Sequence, residues 1–295
     1  MKKLTRRNFL TRSIKYTAGM IAALFGGRYY IEEIEPHWIE YNHYTFAHPS
    51  VLKTIENLKI VQFSDTHIGF QFGLKELEKV VHSINSMNPD IICFTGDLLD
   101  NPNEYKVTPK LVETLSKLKA SLGKYSIYGN HDHGGYGTDI YMDIMTNSGF
   151  KMLMNQSHTI RKNGCEIIIS GIDDAMLGKP DLTAIQKKTQ KNQFHLLLSH
   201  APDYANQASS YQIDIQLSGH SHGGQVQFPF FGALITPPFA EKYVEGYYEV
   251  NEKLPLYVNR GLGTTRYPFR LFSRPEITIF ELKHGDLQLE KKDTL

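Results

Sequence analysis

The chain has 295 residues, of which 41% are hydrophobic, 21% charged and 12% aromatic. This composition is typical of a globular protein and excludes a disordered, collagenous or polytopic membrane protein. The length allows one large domain or two modest ones, each with a sizeable core. The two cysteines, Cys93 and Cys165, are too few for a disulfide framework or a cysteine-based zinc module, although a single pair between them stays open.

The net charge of +1 conceals an uneven distribution. Residues 1–30 carry seven of the 32 basic residues and none of the 31 acidic ones, which leaves the remaining chain with a net charge of −6. Binding to the phosphate backbone of a long nucleic acid normally requires a strong basic excess. The negative body therefore makes long nucleic acid an unlikely partner, although a local basic patch is not excluded.

Residues 1–30 have the layout of an export signal. The basic stretch Thr5–Leu10 (TRRNFL) precedes a weakly apolar run of about ten residues, shorter than the roughly 20 that cross a bilayer as a helix. Adjacent arginines before such a run indicate a twin-arginine signal, read by the twin-arginine export machinery. We therefore expect export across the cytoplasmic membrane and association with the cell wall. The alternatives are retention as an N-terminal anchor, since no clear cleavage site precedes Arg28, and an amphipathic first helix.

The body begins with strands that alternate with helices. Hydrophobic periodicity and the Gly, Asn and Pro residues between segments predict, in chain order, a strand at 58–63, a helix at 74–87, a strand at 90–95, a helix at 111–122 and a strand at 125–128. This order predicts parallel strands joined by right-handed crossovers. The carboxyl ends of such strands open into the ligand crevice, and each strand here delivers a polar residue there: Asp65, Asp97 or Asn130.

The second half is richer in strands. Short strands are predicted at 166–171, 194–199, 213–218, 225–228, 247–250, 256–259 and 276–282. We find no internal repeat, low-complexity tract or linker between the halves. The sequence therefore predicts one domain at 55–295, preceded by a connecting arm at 31–54.

Five polar clusters, each after a predicted strand, suggest a metal site. They are Asp65-Thr66-His67, Gly96-Asp97, Gly129-Asn130-His131-Asp132, Ser199-His200 and Gly219-His220-Ser221-His222. Alternate residues of an extended chain point the same way, so we expect Asp65 with His67, and His220 with His222, to bind an ion together. Three carboxylate or amide oxygens with four imidazoles suit Mn, Fe, Zn or Ni rather than Ca. With one carboxylate shared, seven ligands are enough for two ions.

Each cluster alone has an ordinary explanation. A histidine in a loop is usually solvated or packed, Asp65 or Asp97 could cap a helix, and Asn130-His131 could be a turn. The five clusters nevertheless follow strands in one order, so the ordinary account needs five separate coincidences. Together they predict a metal centre.

This ordered set, D-x-H, G-D, G-N-H-D, H and G-H-x-H, resembles that of the calcineurin-like metallophosphoesterase superfamily over nearly the whole body. With the twin-arginine leader and the segments GNHDHGGYGT, LSGHSHGGQ, TPPF and VNRGLG, the chain is similar to the exported YkuE-type branch of bacterial phosphoesterases. The resemblance implies an α/β fold of two mixed β-sheets packed together and flanked by helices, a four-layer α/β/β/α sandwich with the ions at the strand ends.

The resemblance also implies the roles of the site residues. It assigns the first ion to Asp65, His67 and His222, the second to Asn130, His200 and His220, and the bridge between them to Asp97. The expected cofactors are two divalent ions, manganese, zinc or iron. His131 matches the family's histidine that binds no metal.

Such a pair of ions implies a phosphoryl-transfer chemistry. Two cations about 3.5–4 Å apart lower the pKa of a bridging water, so that hydroxide attacks near neutral pH, and they hold the phosphorus in line. His131 is expected to donate a proton to the leaving oxygen or a hydrogen bond to the transition state. Asp132 either orients His131 or acts as a cap or loop ion pair, and both interpretations stay open.

Loops near the last cluster could determine which substrate the protein accepts. Phe228–Phe231 and Thr236–Phe239 could form an apolar rim that accepts an acyl chain or rests on a membrane, but base rates favour ordinary packing. The Arg-rich stretch 260–274 could bind an anionic head group or wall polymer, or be a solvated basic loop. Tyr136 could stack on a base or cover a lipid.

Three classes of function remain. The first is a hydrolase of phosphomonoesters, phosphodiesters or pyrophosphates outside the cytoplasm, with a membrane-facing lipid-nucleotide pyrophosphatase as its main variant. The second is a non-catalytic binding scaffold, which the complete ligand set argues against. The third is a wall-binding protein with incidental metal.

Overall fold

The computed structural model describes residues 6–106, 108–133, 138–186 and 193–292, so the loop that contains Tyr136 lies outside the described residues. The helices are α1 (Arg6–Tyr29), α2 (Leu74–Ser86), α3 (Pro109–Ser116), α4 (Asn130–His133), α5 (Thr138–Asn147), α6 (Leu182–Ile185) and α7 (Ala205–Ala208). The strands are β1 (Glu40–His48), β2 (Lys59–Phe63), β3 (Ile91–Phe94), β4 (Lys124–Ser126), β5 (Phe150–Met152), β6 (Gln156–Lys162), β7 (Cys165–Gly171), β8 (Gln193–Leu198), β9 (Ile215–Ser218), β10 (Gln227–Phe228), β11 (Gly232–Ala233), β12 (Gly246–Val250), β13 (Leu254–Val258), β14 (Glu276–His284) and β15 (Gln288–Lys291).

Two mixed sheets form the centre of the described fold. The first has the strand order β15-β1-β14-β2-β3-β4-β5, in which β2 to β5 are parallel and β14 is antiparallel to β2. The second has the order β12-β13-β9-β8-β7-β6, with β7, β8, β9 and β13 parallel. The carboxyl ends of parallel strands meet at one edge of a sheet. Both sheets therefore direct the loops after β2, β3, β8 and β9 toward a common region.

The apolar side chains divide into three layers of packing. One cluster joins the facing surfaces of the two sheets, with Phe46 and Ile60 from the first and Ile167 and Leu196 from the second. A second cluster packs α2, α3 and α5 on the outer face of the first sheet, and a third packs α6 and α7 on the second sheet. The expected α/β architecture, two mixed sheets packed together and flanked by helices, is confirmed. Cys93 and Cys165 are both buried and unpaired.

Helix α2 illustrates why the sequence folds this way. Its apolar residues Leu77, Val80, Val81 and Ile84 recur at helical spacing and are all buried against the first sheet. Its amino end is closed by Glu76, whose carboxylate accepts a hydrogen bond from the Gly73 N–H.

The predicted helix at 111–122 is shorter in the structure, because α3 ends at Ser116. A side chain on α2 explains the early end. The Asn85 amide donates to the Lys117 carbonyl oxygen and accepts from the Lys119 N–H. These backbone groups are satisfied by Asn85 instead of by a continued helix.

The prediction of a connecting arm at 31–54 is wrong for strand β1. Residues 40–48 pair in parallel with β14 along nine residues and antiparallel with β15, so they lie inside the first sheet. Only two residues of this strand, Asn42 and Phe46, are fully buried, and its sequence therefore lacks the continuous apolar pattern of β2. Strands β5, β6, β11 and β15 were also missed by sequence reasoning.

Helix α1 covers most of the predicted export signal. Its 24 residues include none that is buried. Among the described residues, none of the helices has both the length and the apolar character needed to cross a membrane.

The position of β1 predicts the effect of a substitution. We expect Phe46→Ala to lower the free energy of unfolding by about 3–5 kcal/mol, because it leaves a cavity between the two sheets. Tyr41→Ala, in the same strand but half-exposed, should cost less than about 1 kcal/mol. Denaturant unfolding of both variants measures the difference, and equal losses would contradict the placement of Phe46 between the sheets.

Candidate metal centre

All seven predicted ligands lie together at the carboxyl ends of strands from both sheets. Asp65 and Asp97 follow β2 and β3 of the first sheet at a distance of two and three residues, while His200 and His220 follow β8 and β9 of the second by two residues. The other three members are His67, Asn130 and His222. Asn130 is partly exposed and the remaining six are buried. The two sheets thus contribute to one polar centre.

The first group of ligand atoms comes from Asp65, His67 and His222. The Nε2 atoms of the two histidines are 3.0 Å apart, and Asp65 Oδ1 lies 3.5 Å from His222 Nε2 and 4.0 Å from His67 Nε2. All three residues are buried. Their atoms surround a space in which one cation could be held.

The second group comes from Asp97, Asn130, His200 and His220. His200 Nε2 lies 3.3 Å from Asp97 Oδ2 and 3.2 Å from Asn130 Oδ1. The Nδ1 atom of His200 faces the carbonyl oxygen of Thr95 at 2.7 Å, which leaves Nε2 as the nitrogen on the cluster side. His220 uses Nε2 in a contact of 2.9 Å with the Pro238 carbonyl oxygen, so Nδ1 is its available ligand atom.

Asp97 connects the two groups. Its Oδ2 atom is 3.5 Å from His67 Nε2 in the first group and 3.3 Å from His200 Nε2 in the second. This carboxylate is therefore positioned to be shared, as the resemblance implies for a bridging ligand.

The backbone reaches this arrangement through left-handed turns, and the prediction of extended D-x-H and H-x-H segments is wrong. Five of the seven residues have positive φ values: Asp65 (50°), His67 (43°), Asp97 (59°), His220 (70°) and His222 (51°). Such conformations are unfavourable for residues with a Cβ atom and accumulate at functional sites. Surrounding hydrogen bonds hold them in place; for example, the His220 N–H donates to both carboxylate oxygens of Asp65 at 3.1 Å.

Two glycines allow the close approach of these loops. A Cβ atom at Gly129 would lie 2.2 Å from Asp97 Oδ1, and one at Gly219 would lie 2.3 Å from Asp65 Oδ2. Any side chain at these positions would displace a carboxylate of the cluster.

The buried charges of the cluster affect one another. Burial alone would raise the pKa of Asp97, but the imidazoles of His200 and His131 lower it well below its usual range. Burial, together with the His200 ring, lowers the pKa of His220 to about 3. Burial and the His67 ring likewise lower the pKa of His222 well below its ordinary value. His220 and His222 are therefore neutral near pH 7, the state in which imidazole binds a metal.

These features fit divalent cations. The donor set combines carboxylate, amide and neutral imidazole atoms, which suits manganese, iron and zinc. The 3.0 Å contact between two imidazole Nε2 atoms is also the spacing expected of ligands that converge on one ion.

Comparison with known proteins agrees with this geometry. Residues 58–224 match the family model described as calcineurin-like phosphoesterase. The chain belongs to the calcineurin-like phosphoesterase family. It is 44% identical over 284 residues to the metallophosphoesterase YkuE of Bacillus subtilis, whose function is uncharacterized; the match covers 96% of this chain and 99% of that one.

The chain also has lower similarity to two further proteins. The UDP-2,3-diacylglucosamine pyrophosphatase LpxG of Chlamydia muridarum is 26% identical over 325 residues, covering 92% of this chain and 97% of LpxG. Among solved structures, the sulfate thiohydrolase SoxB of Thermus thermophilus aligns with a TM-score of 0.50 and 11% identity, covering 82% of this chain and 57% of SoxB. That similarity concerns the fold alone. The chain is therefore a metallophosphoesterase, a member of a family of hydrolases that use divalent metals.

Within this metallophosphoesterase, His131 lies at the edge of the two ligand groups. Its ring lines the adjoining cavity and meets the His67 ring edge-on, with centroids 4.5 Å apart. His131 Nδ1 is 2.6 Å from the Asp100 carbonyl oxygen, which can only accept, so Nδ1 carries a proton. Burial opposes charge on this ring, but Asp97 and the Asp100 carbonyl raise the pKa of His131.

Asp100 is a residue that sequence reasoning missed. Its carboxylate Oδ1 lies 3.3 Å from His67 Nδ1, in an ion-pair contact whose geometry is not that of a hydrogen bond. It therefore faces the nitrogen of His67 that points away from the cluster, while its carbonyl oxygen holds His131. The signal was an aspartate three residues after Asp97, in the same loop.

Asp132 does not orient His131, and the structure corrects that interpretation. The Asp132 carboxylate is fully buried and accepts three backbone hydrogen bonds, from the N–H groups of Asp97 (2.7 Å), Leu98 (2.9 Å) and Gly129 (2.9 Å). Burial and the neighbouring Asp97 charge raise the pKa of Asp132 to about 7, against the opposing effect of these donors. Asp132 thus ties the loop after β3 to the start of α4.

A cavity of about 430 Å³ adjoins the metal centre. Its lining includes polar side chains of the centre, among them His67, Asp97, Asn130 and His131, together with apolar side chains. The apolar lining consists of Met176, Val226, Leu234, Ile235, Pro237 and Phe269. The substrate space is therefore amphipathic.

The contacts of Asp132 predict the behaviour of Asp132→Asn. An amide offers one acceptor oxygen where the carboxylate offers two, so at least one buried N–H loses its partner, at a cost of about 1–3 kcal/mol in the free energy of unfolding. Because Asp97 is one of the tied residues, the metal content should fall as well. Denaturant unfolding and elemental analysis measure both effects.

Asp214→Asn is the matched control. Asp214 accepts from the His195 N–H and the Ser50 hydroxyl at the opposite end of β8 and β9. This variant should lose stability but retain its metals. If Asp132→Asn keeps full stability and full metal content, Asp132 does not hold the loops as described.

Proposed function

We propose that this protein hydrolyses phosphoester bonds, in phosphomonoesters, phosphodiesters or pyrophosphates, through a centre of two divalent cations and acts outside the cytoplasm. The observation that carries the proposal is the position of Asp97 Oδ2 between two groups of ligand atoms beside an open cavity. One such group would hold a structural ion equally well. Two groups that share a carboxylate and open to a cavity have the arrangement of a two-metal site that catalyses phosphoester hydrolysis.

In this proposal Asp65, His67 and His222 would hold the first cation, Asn130, His200 and His220 would hold the second, and Asp97 would be shared. When bound at such a site, divalent cations lower the pKa of a water molecule and neutralise phosphoryl oxygens. The chain's own contribution is to fix the ligand atoms rigidly. The left-handed turns, the hydrogen bond that Asp132 accepts from the Asp97 N–H and the one that the His220 N–H donates to Asp65 provide this preorganisation.

His131 is the proposed proton donor. Its Nδ1 proton is engaged by the Asp100 carbonyl oxygen, which fixes the ring and leaves Nε2 to the cavity. With Nε2 protonated, the ring can donate a proton to the leaving oxygen or a hydrogen bond to a phosphoryl oxygen. Asp100 is then a positioning residue for both His131 and His67.

Export is part of the proposal and rests on the first 30 residues. The pair Arg6-Arg7 opens a helix of 24 residues with five basic and no acidic side chains, none of them buried. A segment that contributes nothing to the core is compatible with an export signal or an anchor. The twin-arginine export machinery would then be a partner, and the protein would be associated with the cell wall or anchored at the membrane.

A second candidate function, a lipid-nucleotide pyrophosphatase, is favoured by the apolar half of the cavity. A substrate with an acyl chain would place its pyrophosphate at the cations and its chain against Leu234 and Ile235. The relative LpxG is named as a pyrophosphatase of a diacylated sugar nucleotide, which agrees with this variant. A purely polar substrate would leave the apolar lining without a partner.

A substrate panel tests the proposed function. With Mn²⁺ we expect turnover of p-nitrophenyl phosphate, its bis ester or a nucleotide pyrophosphate, and loss of that turnover with chelator. If the second candidate is right, kcat/KM should be higher for an acylated pyrophosphate than for its deacylated counterpart, because the acyl chain of the substrate buries apolar area in the cavity. Zero metal-dependent turnover on every substrate would contradict hydrolysis and favour a binding scaffold or a wall-binding protein.

Two substitutions test the roles at the centre. His131→Ala should retain both metals and lower kcat on phosphodiesters by about 10²–10⁴-fold, because it removes only proton donation. Asp97→Asn should deplete both ions, since the shared carboxylate loses its charge. Elemental analysis combined with steady-state kinetics measures both.

The matched control is His133→Ala, in the same short helix as His131. The His133 ring contacts Asp173 Oδ1 at 2.7 Å, away from the ligand groups, and should matter far less for turnover. Normal activity of His131→Ala would exclude its role, and full metal occupancy of Asp97→Asn would exclude the shared ligand.

A further inference from the structure

We propose that the hairpin formed by β10 and β11 docks the mouth of the catalytic cavity on an anionic lipid bilayer. The hairpin is defined here as residues 227–235. Its two short strands pair antiparallel, with Phe228 opposite Gly232, and the turn between them carries Phe230 and Phe231. This docking concerns the surface around the cavity and does not depend on which bond is hydrolysed.

The side chains of the hairpin are exposed instead of packed. Phe230 and Phe231 have relative exposures of 105% and 85%, and Leu234 and Ile235 have 60% and 68%. Ordinary packing on the second sheet, which base rates favour, is therefore wrong for this segment. Four large apolar side chains exposed together are unfavourable in water and mark a surface that contacts something else.

The exposed hairpin is continuous with the substrate space. Leu234 and Ile235 line the cavity that opens at the metal centre, while Phe230 and Phe231 lie beyond its lining. A surface that covers the hairpin turn would therefore lie at the cavity mouth. An amphiphilic molecule in that surface could enter with its apolar part along the same side chains.

A second apolar loop is fixed to the hairpin through the backbone. The Gln227 N–H donates to the Leu271 carbonyl oxygen at 2.8 Å, and the Leu271 N–H donates to Gln225 at 3.0 Å. The neighbours Tyr267 and Phe272 are 57% and 58% exposed. The apolar surface thus includes two adjoining segments and is wider than the hairpin alone.

The residues that follow helix α1 adjoin the same apolar surface; this surface, formed by the hairpin and the loop with Tyr267 and Phe272, is called the platform here. The Arg270 N–H donates to the Ile31 carbonyl oxygen at 3.0 Å, and the Gln71 side chain donates to the carbonyl oxygens of Glu32 and Pro268. Helix α1, with its exposed apolar and basic side chains, therefore ends beside the loop that flanks the hairpin.

Charge favours an anionic bilayer as the occupant. Residues 225–240 contain no charged residue, and the charged residues of 261–275 are all basic. Of these, Arg266 is exposed, Arg274 is partly exposed and Arg270 is buried. Helix α1 adds five basic residues and no acidic one. Near its base, Glu32 pairs with Arg28, and Glu33 is the exposed acid. Apolar side chains surrounded by cations are typical of a surface that enters an anionic lipid interface.

The same charges argue against a second copy of the chain. A symmetric dimer through this face would bring like-charged arginines of both copies together, which opposes association. A bilayer also requires no matching groove for a protruding turn, because lipid adapts to its shape.

Vesicle flotation of the full chain tests the proposal. We expect the protein to float with vesicles of phosphatidylcholine containing phosphatidylglycerol, and more weakly with phosphatidylcholine alone. The double variant Phe230→Ser, Phe231→Ser should bind the anionic vesicles about 10–100-fold more weakly, because two large apolar side chains no longer enter the lipid. A chelator should leave vesicle binding unchanged, because the hairpin needs no metal to enter the lipid. The docking proposal can therefore succeed or fail independently of the proposed hydrolysis.

Control variants make the outcome specific. Met142→Ser, Met154→Ser removes two exposed apolar side chains outside the platform and should bind like the unaltered chain. Phe230→Leu, Phe231→Leu keeps the apolar surface and should retain binding, which guards against loss through misfolding. Equal thermal midpoints would establish that the serine variant is folded.

Two results would overturn the proposal. One is equal vesicle binding by the unaltered chain and the serine variant, or no binding by either. The other is a lipid-free dimer, detected by sedimentation velocity, that the serine variant dissociates; the hairpin would then be an interface between two copies.

Discussion

The centre depends on the burial of one carboxylate, Asp97, between two groups of imidazoles. A carboxylate removed from water at this depth is stabilised only by opposite charge and by hydrogen bonds, and Asp97 is near both kinds of partner. Asp97 Oδ2 contacts the rings of His67 and His200, and Oδ1 accepts a hydrogen bond from the backbone N–H of His131. Cations at the two groups would supply the charge that such a site requires, which explains why a hydrolytic protein would retain so costly an arrangement.

The supporting residues keep Asp97 where both groups can use it. Asp132 binds the Asp97 N–H and the Gly129 N–H together, and Gly129 in turn leaves no Cβ atom to push against the Asp97 carboxylate. The left-handed backbone at Asp97 is thus fixed by its contacts with Asp132 and Gly129. Residues outside the ligand set therefore decide the geometry of the centre, as the orienting contacts of Asp100 also illustrate.

Sequence reasoning found the convergence of the site but not its geometry. Polar residues after buried strands such as β2 and β3 were predictable, because strand ends meet at one edge of a sheet. The positive φ values at Asp65 and His220 were not, since they depend on hydrogen bonds between loops far apart in the chain. Strand β1 was missed for a related reason. Few of its residues are fully buried, so its sequence has no apolar pattern that would predict its pairing with β14.

The same limit applies to the apolar loops. The sequence Phe228–Phe231 is equally compatible with a packed loop and an exposed turn. Only the pairing of β10 with β11 and with the loop at Leu271 distinguishes the two. Backbone hydrogen bonds of Gln225 and Gln227 with Leu271 hold the hairpin against the neighbouring loop, and its aromatic residues Phe230 and Phe231 are exposed. The candidate metal centre thus adjoins a cavity whose lining is partly apolar. A molecule with a phosphoester at one end and an apolar chain at the other satisfies both sides of this cavity at once, whereas a small polar phosphoester satisfies only the first.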